Sequence, residues 1–119
     1  MEAALDSIRI EQLELFSSVG VEDSERAAPQ RLTATIEMWV PKSFHEVHDE
    51  ITETVDYALV AEVTRRIARK NSSRLIETLA LTISSDLLER FPIAKVEVEI
   101  RKFVLKDARY VSVKTCVVK

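Results

Sequence analysis

"RLTATIEMWV", residues 31–40, alternates without a fault: Leu32, Ala34, Ile36, Met38 and Val40 share one parity, and Thr33, Thr35, Glu37 and Trp39 share the other. Successive side chains of a strand point to opposite faces, so the pattern predicts a strand with one face on the core. Pro41 stops it, having no N–H to give to a ladder. Upstream, Ile8 and Ile10 share one parity, and Leu13 and Leu15 share the other. A β-bulge near Glu11–Gln12 explains the switch. Gly20 ends that first strand, and "VEDSERAAPQ" is a polar connection, short for a crossover. The two strands are therefore expected to pair antiparallel.

Beyond Pro41, "KSFHEVHDEITET" is polar and acid-rich, with weak local signals. A helix is expected from about Val55 to Lys70. Val60, Val63 and Ile67 form its apolar stripe, and Arg65, Arg66, Arg69 and Lys70 suit the negative end of its dipole. Asn71–Ser73 breaks the chain. "RLIETLALTISSDLLERF", residues 74–91, is a second helix, with Ile76, Ala80, Ile83 and Leu87 at three-to-four-residue spacing; Pro92 ends it. Two more strands follow. "KVEVEIRKFVL" has Val96, Val98 and Ile100 inward, and "RYVSVKTCVV" has Val111, Val113 and Val117 inward. The order strand, strand, helix, helix, strand, strand (ββααββ) predicts an α+β domain with a four-stranded antiparallel sheet and two helices on one face.

Bulk properties narrow the function classes. At 119 residues, one domain over 1–119 is the default, large enough to bury a modest core. A formal charge of -3 with mixed signs lacks the basic excess of a nucleic-acid binder. The single Cys116 excludes an intrachain disulfide and a multi-cysteine metal site. No apolar run approaches a membrane span and no basic-then-apolar leader opens the chain, so no membrane partner and a cytoplasmic location are expected. His45 and His48 have H-x-x-H spacing beside Glu46, Asp49 and Glu50, but two imidazoles at that spacing are a common accident and no metal is expected.

Two charges stand on apolar faces. Lys102 continues the parity of Val96, Val98 and Ile100 near the end of its strand. Glu77, in the first turn of the second helix, falls on the wheel beside Ala80, Leu81, Ser84 and Leu88, away from the solvated arc of Thr82, Ser85, Asp86 and Glu89. A buried charge is costly unless paired or functional. Pattern leaves two readings open. Either Lys102 snorkels from a fraying strand end while Glu77 complements a helix dipole, or both belong to a site.

Four motifs, in order and with similar gaps, resemble the dihydroneopterin aldolase family: "SSVGVEDSER" (17–26), "TVDY" (54–57), "LIETLA" (75–80) and "VEIRK" (98–102). The resemblance implies a tunnelling fold (T-fold), in which four-stranded sheets join edge to edge into a barrel. The homo-oligomer would be a tetramer ring or an octamer with sites between subunits. Such closure removes the open edges that a lone sheet would leave, the Val-rich "TCVVK" among them.

The resemblance also implies roles. Glu77 anchors a pterin, its two oxygens accepting from adjacent ring donors, and the backbone of Leu75 and Ile76 adds contacts. Val55 belongs to the "TVDY" substrate-binding segment. Tyr57, from a neighbouring subunit, assists proton transfer. Glu25, five residues after Gly20, holds the side-chain hydroxyls, and Lys102 is the general base. No cofactor is implied, because the dihydropterin ring carries a carbon–nitrogen double bond that accepts the electrons released on carbon–carbon cleavage. Val19 and the proline-free run after Lys102, starting at Phe103, resemble a sister enzyme, dihydroneopterin triphosphate epimerase. On that alternative Lys106 and Arg109 contact phosphates; as turn charges they need no ligand. A second alternative is a non-catalytic pterin-binding ring protein that keeps Glu77 without a productive base.

Overall fold

The computed structural model describes residues 6–119. Residues 1–5, which the expected domain and the expected absence of a leader include, lie outside the described residues. Five strands and three helices follow one another: β1 (Ser7–Val19), α1 (Asp23–Arg26), β2 (Gln30–Trp39), α2 (Tyr57–Lys70), β3 (Ser72–Ser73), α3 (Ile76–Arg90), β4 (Lys95–Lys102) and β5 (Val111–Val118). The sheet order is β3-β1-β2-β4-β5. All pairings are antiparallel except β1 with β3, which run parallel.

The alternation in β2 decides the layer. Ala34, Ile36 and Met38 lie opposite Ile100, Val98 and Val96 of β4, and all six are buried. The bulge sits where the parity switch put it: Ile10 faces Ile36, whereas Leu13 faces Ala34. The extra residue is absorbed at Gln12, whose φ is 51° and whose N–H donates to Thr35 Oγ1 at 3.1 Å. An unbranched side chain at this left-handed position avoids the greater strain a β-branched or bulky one would meet there.

Helix α2 packs on β1, and α3 packs on β4 and β5. Val60 and Val63 of α2 are buried, as are Ile76, Leu79, Ala80, Ile83 and Leu87 of α3. Asp56 caps α2, its carboxylate accepting from the N–H groups of Ala58 (3.1 Å) and Leu59 (3.3 Å). No described helix is long and apolar enough to cross a membrane.

Four details correct the sequence reading. The sheet has five strands, not four, because Ser72–Ser73 lies beside the end of β1, with Ser18 opposite Ser72 and Val19 opposite Ser73. Two serines carry no periodic signal. The connection 21–30 contains the one-turn α1, and the acid-rich segment contains two 3-10 turns, Phe44–Glu46 and Ile51–Glu53. β4 stops at Lys102 rather than running on through Leu105. Val111, expected inward, is exposed, since it starts an edge strand paired on one side only.

The polar face of the sheet is more than a solvated surface. Lys95 Nζ stands 4.5 Å over the Trp39 ring, Arg101 stacks at 4.2 Å on Tyr110 and Arg31 at 5.3 Å on Phe103. Thr33 and Thr35 of the central strand are buried beneath this layer.

Candidate active site

Lys102 closes β4, opposite Leu32 and Val111, on the parity of the core. Its side chain is only 14% exposed, so its ammonium needs a partner. Glu25 supplies one: Lys102 Nζ lies 2.7 Å from Glu25 Oε2, the length of a charge-assisted hydrogen bond. That bond holds the Glu25 carboxyl below the ordinary 4.5; burial pulls the other way, and Gln30 and the Val21 N–H add smaller lowering effects.

The loop that carries Glu25 is tied down at several points. Arg26 Nη1 donates to the carbonyls of Gly20 (2.7 Å) and Val21 (3.0 Å). Gln30 Nε2 donates to the Val19 carbonyl at 2.6 Å. The Gly20 N–H donates to the Ser73 carbonyl at 3.1 Å, and Asn71 Nδ2 donates to Ser17 Oγ at 3.1 Å. These bonds bring the chain just before α3 to the end of the sheet that holds Glu25 and Lys102.

Leu75 therefore begins α3 at this end. Glu77 follows in the first turn, where a carboxylate favours the positive pole of the helix. Glu77 is exposed, and it lines a cavity of about 260 Å³ with Ala80, Leu81, Val113, Lys114 and Thr115, between α3 and the outermost strand. Its place on the margin of the apolar face thus corresponds to an opening beside the helix. No described hydrogen bond or ion pair joins Glu77 to Glu25 or Lys102. The Leu75 side chain is exposed and that of Ile76 is buried, so Ile76 offers a ligand only its peptide groups.

Tyr57 and Val55 stand elsewhere. Helix α2 has 14 residues and a rise of about 1.5 Å per residue, so Tyr57 lies about 20 Å from the helix end that adjoins Asn71 and Ser17. Tyr57 is 61% exposed, whereas Val55 is buried in its own core. Within one chain the structure brings together Glu25, Lys102 and the start of α3, and leaves the "TVDY" segment at the other end. His45 and His48 are exposed, and no described group of three or more His, Cys, Asp and Glu side chains is placed to hold a metal. Lys106 and Arg109 are exposed in the β4–β5 connection. Sequence reasoning missed Arg26 and Gln30. The only signal for Arg26 was a cation inside a short polar connection, and Gln30 gave none.

The family model for FolB, dihydroneopterin aldolase, matches residues 8–116. A dihydroneopterin aldolase of Methylorubrum extorquens is 34% identical over 87 residues, covering 73% of this chain and 67% of that one. The crystal structure of Escherichia coli dihydroneopterin aldolase in complex with neopterin superposes with a TM-score of 0.87 at 27% identity, covering 95% of this chain and 99% of that one. A FolB chain from Vibrio cholerae shares the fold with a TM-score of 0.91 at 24% identity, over 98% of this chain and 99% of that one.

Proposed function

The chain belongs to the dihydroneopterin aldolase family, and on that footing we propose that it cleaves the side chain of dihydroneopterin without a cofactor. Lys102 first gives its ammonium proton to solvent and then, as the neutral amine, takes the proton of the side-chain hydroxyl next to the breaking bond. The carbon–carbon bond opens, glycolaldehyde leaves, and its electron pair moves into the carbon–nitrogen double bond of the ring. The carbon left on the ring then accepts a proton, giving hydroxymethyl-dihydropterin. Glu25 accepts hydrogen bonds from the substrate hydroxyls. Glu77 anchors the pterin through paired charge-assisted bonds, each about 1.5–3 kcal/mol. The backbone at Leu75, Ile76 and Val55 completes the pocket, and Tyr57 returns the proton.

The single observation that carries this reading is the 2.7 Å contact of Lys102 with Glu25 at the end of the sheet where α3 begins. A core-facing lysine held by a carboxylate, in a chain whose α3 carries a second carboxylate at the edge of a cavity, suits proton transfer on a small ligand with several donors.

The active form is a closed ring of copies, and the barrel of the T-fold is this ring. Two features support it. β5 pairs only with β4, and β1 beyond Ser18–Val19 pairs only with β2, so two long sheet edges are open in one chain. Tyr57 is exposed and remote from Lys102 in its own subunit, which a site shared between neighbours resolves. The test is incubation with dihydroneopterin, with glycolaldehyde release and pterin products followed together. Stoichiometric aldehyde and hydroxymethyl-dihydropterin are expected. Binding of neopterin with no aldehyde over long incubation overturns the reading.

A further inference from the structure

α1 has only four residues, and no side chain caps its N-terminus. A single turn does not hold itself together, because too few hydrogen bonds repay the ordering of its backbone. Yet Glu25, inside that turn, is placed against Lys102 with hydrogen-bond accuracy. Side-chain contacts beyond the turn's own backbone bonds must hold it.

Arg26 is the one residue whose contacts close this loop on its own beginning. Its guanidinium donates to the Gly20 and Val21 carbonyls at 2.7 and 3.0 Å and meets the Asp23 carboxylate. Its side chain is only 18% exposed. A planar fork with several donors serves two adjacent carbonyls at once, which an ammonium does less well. Arg26 makes no bond to Glu25 itself; its charge is directed at the backbone and at Asp23.

Gly20 shows what the closed loop leaves room for. Its carbonyl is fixed by Arg26 and its N–H by the Ser73 carbonyl. A β-carbon built on Gly20 would overlap Oε1 and Cδ of Glu25 and stand 2.5 Å from Cγ. The Glu25 side chain therefore runs directly across the Cα of Gly20, in the space any other residue would fill, on its way to Lys102.

We propose that Arg26 is a positioning residue, a clasp that folds the Gly20–Arg26 loop so that Glu25 crosses Gly20 and meets Lys102; this rests on the roles given above to Glu25 and Lys102. Arg26 acts through the backbone, and Gly20 is the slot it keeps open. The clasp is local: it ties residues that are five and six apart in sequence.

The test uses the full chain with Arg26→Ala, Arg26→Lys, Gly20→Ala and Glu25→Gln. Two readouts are needed: steady-state turnover of dihydroneopterin, and the titration of the Glu25 carboxyl carbon by NMR in the folded protein. Misplacing a reacting group by about 1 Å costs up to about 100-fold. Arg26→Ala is accordingly expected to lower kcat by about 10- to 100-fold with a smaller change in KM. The Glu25 titration should move up toward 4.5 as the Lys102 bond is lost. Gly20→Ala should reproduce both effects, and Arg26→Lys should restore part of each. Should Arg26→Ala not fold, Arg26→Lys and Gly20→Ala carry the same readings. The clasp is overturned if Glu25→Gln is slow while the Arg26 variants keep wild-type kcat and titration and lose only melting temperature. Wild-type turnover by Glu25→Gln would instead remove the role of Glu25, and the clasp with it.

Discussion

The two ends of the sheet are built differently. At one end, Glu25, Lys102, Gly20, Arg26 and Ser73 are tied by short polar bonds, and the functional groups are largely withdrawn from solvent. At the other, Tyr57 stands 61% exposed at the start of α2, with Leu59 and Ile51 also open. The first end is preorganised within one chain; the second offers a phenol and apolar surface with no partner of its own. A lone subunit thus presents two unlike halves, one with its charged side chains paired within the chain, the other with an exposed phenol. In the proposed ring the open strands β1 and β5, which lie on opposite sides of the sheet, would meet between neighbouring copies.

The largest effect is expected at the polar end. Lys102→Ala removes the proposed general base and leaves Glu25 without its main partner, so turnover should fall by about 10²–10⁴-fold. Tyr57→Phe should cost less, since only proton return loses its donor. Neither variant alone decides whether the halves meet between subunits. Mixing does: the two variants, dissociated and reassembled together, should be more active than the average of the separate proteins, because some interfaces pair an intact Lys102 with an intact Tyr57. A mixture that stays at the average breaks the comparison and returns the site to a single chain.

Glu77 sharpens it further. Its carboxylate edges the cavity between α3 and β5, apart from the Glu25–Lys102 pair. Anchoring and proton transfer should therefore separate in measurement. Glu77→Ala is expected to weaken neopterin binding by about 1.5–3 kcal/mol for each ligand donor left unpaired, roughly 10- to 100-fold per bond, by calorimetry. Lys102→Ala should change that affinity much less. Unchanged affinity in Glu77→Ala would remove the anchor from this cavity.

Much of the fold was legible because burial imposes a period. β2 and β4 alternate since one face of each meets the helices, and the bulge in β1 was readable because an inserted residue must exchange the faces beyond it. β3 was not legible: Ser72 and Ser73 pair because the end of β1 and the Gly20 N–H are already there, which is tertiary context and not pattern. Nor was the burial of Thr33, whose strand neighbours Glu14 and Arg101 have long stems that cover polar positions. In the site, parity placed Lys102 inward without naming its partner, which lies in a loop with no period. The resemblance supplied Glu25 and Glu77. The clasp at Arg26 escaped both, since an arginine in a polar connection looks like any solvated charge until its acceptors are known.

The smallest expected effect is thermodynamic, and its sign follows from the ion pair. Lys102 holds the Glu25 carboxyl below 4.5 in the folded chain, so the folded state releases that proton more readily than the unfolded state does. The pair therefore contributes stability at pH values above 4.5, and the contribution is lost as pH falls through the lowered folded value. With Glu25 33% exposed, solvent screens the pair, and it ranks with partly exposed bridges of at most about 1 kcal/mol. For a domain of this size that is a few degrees of melting temperature. Melting wild type and Glu25→Gln side by side should show a constant gap from neutral pH down to about pH 5, narrowing below it. The gap at neutral pH should also shrink in about 1 M salt, where the screening length falls to about 3 Å. A gap that widens on acidification would mean that Glu25 is protonated more easily in the folded chain, and the polar end would then not be the preorganised half.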